Sequence, residues 1–249
     1  MTVYNRQAYV AEAIESVLQQ SRGDLELLVW DDGSTDGSLE IVGDYARRDS
    51  RIRLVEGRHA GAPMALKQAC DAARGEYLGW VDSDDMLAPT ALAETAAVLD
   101  SDPKIGLVYT HYLVMGPNGQ MGGFGSRCKI EFSRERLLVD FMVFHFRLFR
   151  RELYTRVGGL DGSGDVGDAY DYDLVLKLVD IAGVAHVRRP LYMYRQHPTM
   201  ISRMGKPELQ KGAATAVRRA IQRRGLADKV KLIVTKEGRF RIRPIDEPE

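Results

Sequence analysis

The sequence predicts an α/β fold in which helices flank a mostly parallel sheet. Three observations carry this. Short apolar runs alternate with amphipathic helical segments through the first half of the chain. Acidic, turn-rich segments close two of those runs, where ligands bind in open α/β sheets. Apolar residues make up 45% of the 249 positions, enough to bury a real core. The length suits one large domain with a small appendage. Residues 1–205 are read as the main domain, and residues 206–249 as an amphipathic helix and a hairpin.

The elements follow in order. Val10, Ala13, Ile14, Val17 and Leu18 share one face of a helix over 9–20. Leu25 to Trp30 is a nearly continuous apolar run, as in a strand buried on both faces. It ends in Asp31-Asp32-Gly33-Ser34-Thr35-Asp36-Gly37, rich in turn and helix-capping residues, and a helix follows to about Arg47. Ile52–Val55 is a second strand. Ala62, Ala65, Leu66, Ala69, Cys70 and Ala73 mark another helix. Tyr77–Val81 is a third strand, closed by Asp82-Ser83-Asp84-Asp85, and Pro89 opens a helix to Leu99. A fourth strand covers Ile105–Tyr109, and Gly116-Pro117-Asn118-Gly119 marks a hairpin tip. Beyond it, Phe144–Phe149 reads as a strand and 161–168 as a Gly/Asp-rich loop. Tyr172–Ile181 reads as a helix, and Val184–Val187 and Leu191–Tyr194 as two short strands. Pro207–Arg223 is an amphipathic helix, and Lys231–Arg243 a hairpin turning at Glu237-Gly238.

Thirty-five basic residues balance 35 acidic ones, for a formal net charge of zero. Nucleic acid is therefore not an expected partner. Two cysteines, Cys70 and Cys128, make neither a disulfide framework nor a zinc site, and favour a reducing, cytoplasmic setting. No apolar run approaches the about 20 residues that span a bilayer. Lys211, Arg218, Arg219, Arg223 and Arg224 give the C-terminal helix a basic face. That face is either solvated or a peripheral dock for anionic lipid or a lipid-phosphate acceptor.

Three acidic clusters carry the chemistry. Asp82 and Asp84 are two positions apart, so in extended backbone they point the same way. Such a pair suits a hard divalent cation with oxygen ligands; as a turn it would only cap the next helix. Asp32 is either a turn residue or an acceptor for the imide N–H of a uracil base. Asp168, Asp171 and Asp173 adjoin the glycine-rich loop. A carboxylate there is either a helix cap or the base that takes a proton from an attacking hydroxyl.

Taken in order, these segments resemble family 2 glycosyltransferases. The resemblance rests on Val3-Tyr4-Asn5-Arg6, Glu26 to Asp36, Ala73-Arg74-Gly75-Glu76-Tyr77, Asp82-Ser83-Asp84-Asp85, Val157-Gly158-Gly159-Leu160, Tyr172-Asp173-Leu174 and Tyr194-Arg195-Gln196-His197. It covers roughly the first 200 residues, and its specificity lies in the ordered set. It implies a GT-A fold with a Rossmann-like nucleotide-binding half and inverting transfer from a nucleotide-diphosphate sugar, with UDP the expected carrier. The acceptor would be a glycan, such as cell-envelope polysaccharide, a lipid-linked sugar or a protein. Thr2, Tyr4 and Asp32 would line the nucleoside site. Asp82 and Asp84 match the metal and diphosphate motif, with Mn2+ or Mg2+ the implied cofactor. Asp84 would make the most direct metal contact, and Asp85 is near enough to compete. Asp171 matches the general base. His197 matches a late histidine near the metal or diphosphate, or is a surface-loop histidine.

The chain departs from the family pattern in places. The family begins with an apolar strand, and here Met1 stands where that strand should end, so a truncated first strand is expected. The Lys231–Arg243 hairpin is a candidate to fill the gap. Tyr170 replaces the usual Glu, and Lys67 stands where Asn is common. These departures keep open a second reading, a catalytically impaired relative that binds nucleotide-sugar. A haloacid dehalogenase phosphatase is excluded by spacing: Trp30 and Gly33 occupy positions where that chemistry needs acids. No G-x-G-x-x-G opens the first helix, against a dinucleotide-binding dehydrogenase.

Overall fold

The computed structural model describes residues 1–200, 206–235 and 238–246. Its first half alternates strand and helix: β1 (Thr2–Val3), α1 (Val10–Leu18), β2 (Leu27–Asp31), α2 (Ser38–Arg48), β3 (Ile52–Glu56), α3 (Ala62–Ala72), β4 (Tyr77–Gly79), β5 (Met86–Leu87) and α4 (Ala91–Ser101). The second half holds β6 (Ile105–Met115), β7 (Met121–Phe124), β8 (Arg147–Arg150), α5 (Arg151–Arg156), α6 (Tyr170–Ile181), β9 (Gly183–Arg195), α7 (Lys206–Arg223), β10 (Val230–Val234) and β11 (Phe240–Pro244). Single 3₁₀ turns lie at Ser126–Lys129, Arg136–Leu138 and Gly167–Ala169.

The strands form three sheets. β1, β2 and β3 are parallel neighbours, with Leu27 opposite Ile52 and Thr2 opposite Trp30. A mixed sheet runs in the order β4-β8-β6-β9-β5, with β7 folded back on β6 at the expected hairpin. Its one parallel pair, β6 and β9, is the long central ladder. What reads in the sequence as two short strands is therefore the single strand β9. The register slips where His111 faces Pro190, and a proline has no N–H to give the ladder.

The first strand is a two-residue stub. Met1 is buried, and its ammonium donates to the Leu28 carbonyl at 2.9 Å. Alongside lies a cavity of about 680 Å³ lined by Met1, Leu27 and Leu28 on one side and Leu66, Leu78 and Val81 on the other. The C-terminal hairpin does not fill it. β10 and β11 pair only with each other and pack on α7, remote from β1. Glu237, expected at that hairpin's turn, lies outside the described residues.

Two apolar cores sandwich the sheets. Val10, Ile14, Val29, Leu99 and Tyr192 belong to the core that holds α1, α2 and α4. Leu107, Phe149, Leu174, Leu178, Val217 and Ile221 belong to the core that holds α5, α6 and α7. Helix α7 is thus part of the same packing as α6, and at Gly212 it comes so close to the Val166 carbonyl that a Cβ would not fit. Among the described residues no helix is long and apolar enough to cross a membrane.

Candidate active site

The carboxyl end of β2 is built by its two aspartates. Asp31 Oδ2 accepts from the backbone N–H of Gly33 (3.1 Å) and Ser34 (2.9 Å), which turns the chain out of the strand. Asp32 points the other way. Its two oxygens accept from Ala60 N (2.8 Å) and Gly61 N (3.0 Å), and His59 Nδ1 lies 2.9 Å away. The Asp32 side chain is 3% exposed, so it organises the entry to α3. The surface it supports is His59, whose ring stacks on Tyr4 at 4.1 Å between centroids. Asn5, with φ +52°, makes a left-handed turn that clamps the loop after β2: its N–H donates to Ser34 Oγ, and its Oδ1 accepts from Thr35 N at 2.8 Å. Thr2 lies in β1, opposite Trp30 of β2.

The turn after β4 carries the acidic set. Asp85 N–H donates to Asp82 O at 3.0 Å, which fixes the turn. Asp85 faces inward: Oδ2 accepts from the Tyr192 hydroxyl (2.7 Å) and Oδ1 from Arg195 N (2.7 Å). Burial, then the charges of Asp82 and Asp84, push its carboxyl well above the usual carboxylate range. Both its oxygens are thus engaged within the protein.

Asp84 meets two partners at one oxygen. Arg6 Nε donates to Oδ2 at 3.0 Å, and His197 Nε2 lies 2.9 Å from the same atom. His197 is 2% exposed, with Nδ1 3.0 Å from Thr199 Oγ1, so it is a buried partner of the acidic turn and not a surface-loop histidine. Asp82 opens on the cleft, its nearest basic neighbour being His145 Nε2 at 3.7 Å. Desolvation by the surrounding protein, then Asp84, against the opposing pull of the Arg147 guanidinium, push the Asp82 carboxyl up to about 7, although the side chain keeps 41% of its surface open. Arg195 ties the turn to its surroundings: it donates to Asp84 O (2.7 Å), Pro117 O (3.0 Å) and Glu12 Oε2 (2.5 Å).

Across the cleft, Asp171 stands in the first turn of α6. Its Oδ2 accepts from Arg147 Nη1 at 3.1 Å, and 20% of its side chain is exposed. Burial, then the charges of Asp82 and Asp171, raise the Tyr170 phenol, so both carboxylates lie within electrostatic reach of that ring. Asp173 is not on a solvated face. It is fully buried and pairs with Lys177 at 2.6 Å, so it serves the helix and not the cleft. Sequence reasoning passed over Arg147 and His145. The signal was present: a histidine and an arginine interrupt the apolar run Phe144-His145-Phe146-Arg147-Leu148-Phe149.

The donor set suits a hard cation. Among the described residues the Asp82 side chain accepts no hydrogen bond and Asp84 keeps Oδ1 free, while burial, then the charge of Asp84, raises the Asp82 carboxyl. Among the described residues, no three His, Cys, Asp or Glu side chains already converge as a complete cage. Further ligands would therefore have to come from water or substrate oxygens. The basic face of α7 is largely occupied: Arg219 pairs with Asp161 and Asp165, and Arg223 and Arg224 pair with Asp180.

The family model described as Glycosyl transferase family 2 matches residues 1–158. A hyaluronan synthase of Pasteurella multocida is 30% identical over 225 residues, covering 90% of this chain and 23% of the relative. A chondroitin synthase of Escherichia coli is 32% identical over 189 residues, covering 76% of this chain and 27% of the relative. The chain thus spans about a quarter of the length of these relatives. Among solved structures, S. aureus TarS 1-349 in complex with UDP-GlcNAc superposes with a TM-score of 0.72 at 20% identity, covering 88% of this chain and 64% of that one. A mannosyltransferase from Pyrobaculum calidifontis in complex with GDP-Man and Mn2+ has a TM-score of 0.58 at 22% identity, covering 91% and 74%. These structures share the GT-A fold.

Proposed function

The chain belongs to glycosyl transferase family 2, and we propose that it transfers a sugar from a UDP-sugar to a hydroxyl of a glycan acceptor, with inversion at the anomeric carbon. What supports the reading is the placement of Asp82 and Asp84 in the turn after β4, with Asp171, at the start of α6, within electrostatic reach of Asp82. The UDP-GlcNAc named with TarS supports the donor class. The glycan-polymer products in the relatives' names support the acceptor class.

Each residue has a role in this reading. The exposed face of the Tyr4–His59 stack receives the base. Asp32 holds that platform through the Ala60 and Gly61 backbone, and Thr2, in β1, leads the chain into it. Asp82 and Asp84 would hold Mn2+ or Mg2+, with His197 and Arg6 orienting Asp84; the Mn2+ named with the mannosyltransferase supports a metal-assisted site. A bound cation supplies charge neutralisation at the leaving diphosphate. Asp171 accepts the proton of the attacking hydroxyl. One displacement on the face opposite the diphosphate inverts the configuration and needs no covalent sugar-enzyme intermediate.

Calorimetry with a nucleoside-diphosphate panel, with and without Mn2+, tests the reading. UDP is expected to bind with Mn2+ present, and Asp84→Asn to weaken that binding by about tenfold or more, a loss of roughly 1.4 kcal/mol. Binding of GDP in place of UDP would change the donor. A folded chain that bound no diphosphate would defeat the reading.

A further inference from the structure

Arg147 has no role in the reaction as described, yet it is placed at a high energetic cost. It sits in β8, where Tyr109 of β6 is its register partner, among Phe146, Leu148 and Phe149. Its side chain is 1% exposed, with the guanidinium carbon 4.7 Å from the centroid of Trp80. Nη1 donates to Asp171 Oδ2 at 3.1 Å and reaches Val143 O at 3.4 Å, while Nε and Nη2 have no hydrogen-bond partner. An arginine stays charged, and burying it with two idle donors is costly. Among the described residues its ion-pair partner is Asp171 alone. The strand needs only an apolar residue for packing, so the guanidinium calls for a reason outside packing.

We propose that Arg147 is the positioning residue for the proton acceptor. It grips Asp171 by Oδ2 and leaves Oδ1, which accepts no hydrogen bond among the described residues, for the acceptor hydroxyl. The mount is rigid: β8 is held between β4 and β6, and a Cβ on Gly79 of β4 would lie only 2.6 Å from the Arg147 carbonyl. The first turn of a helix is a less constrained platform, so the strand lends it precision. This rests on Asp171 being the base.

Arg147→Lys and Arg147→Met, each alone and combined with Asp171→Asn, test it by transfer kinetics and UDP calorimetry. The single variants should lose about 10²-fold in kcat, the cost of a misplaced reacting group, with donor affinity unchanged. Each double variant should be no slower than Asp171→Asn. Should Arg147→Met fail to fold, Arg147→Lys, which keeps the charge but loses the planar fork, carries the test. Full kcat in a folded variant, losses that multiply with that of Asp171→Asn, or donor affinity falling in step with kcat would each overturn the assignment. Full turnover by Asp171→Asn would instead overturn the base itself, and with it the role of Arg147.

Discussion

Asp82 lies in an electrostatic conflict that the folded protein tolerates. Desolvation and the neighbouring Asp84 push its carboxyl up to about 7 from an ordinary value of 3.8. Because the folded value is raised, the protonated form favours folding. That contribution is complete below about 3.8 and is lost as pH rises through about 7. In metal-free buffer, the melting temperature of Asp82→Asn minus that of its parent should therefore grow between pH 6 and pH 8. A difference that stays flat would mean the carboxyl is not crowded. Burial lowers His145 and His186, and these act in the opposite sense, losing stability as pH falls. Because His145 lies 3.7 Å from Asp82, the comparison is made in a His145→Gln background, where the difference reports on Asp82. The acidic run closing β4 made Asp82 and Asp84 legible, but not for the reason of extended backbone: Asp85 N–H closes a turn onto Asp82 O, and the two side chains meet different partners. The sequence could not show that Asp85 turns inward, since Tyr192 and Arg195 arrive from more than 100 residues away. Nor could it show Arg147 and Asp171 as a pair, because spacing carries no information across separate elements.

At the scale of elements, helices were the most readable. Their apolar faces repeat at 3.6 residues, and Val10, Ala13, Ile14 and Val17 are all buried. Strands were less so. The two-residue β5 is too short for any pattern, and β9 was split by Pro190. Glycine in a helix gives a prediction with a diagnostic sign. Propensity alone says that Gly212→Ala in α7 should stabilise by up to about 1 kcal/mol. The close Val166 carbonyl says otherwise, because backbone cannot yield as a side chain can. Gly212→Ala should destabilise by about 1–3 kcal/mol in urea unfolding. A stabilised variant would show that α7 is not seated against the Gly167–Ala169 turn.

At the scale of the whole molecule, the C-terminal segment carries more than a boundary at residue 205 suggests. Ala216, Val217, Ala220 and Ile221 of α7 are buried with Leu174 and Leu178 of α6, the helix that carries Asp171. Residues 1–205 alone would expose that face. Their melting temperature should fall by on the order of 10 °C, or the cooperative transition should vanish. An unchanged melt would make the segment a separable appendage.

The three contacts of Arg195 also bear on how the molecule comes into being. One guanidinium joins residues separated in sequence by 183 positions (Glu12), 111 (Asp84) and 78 (Pro117). Closing such long loops is slow relative to forming helices. The acidic turn therefore acquires its working shape late, after α1 and the β6–β7 hairpin have met β9. During refolding from urea, the ability to bind nucleotide should return after the far-ultraviolet helix signal. During synthesis, the acidic turn cannot be tied down until Arg195 itself has left the ribosome, long after Glu12 and Asp84.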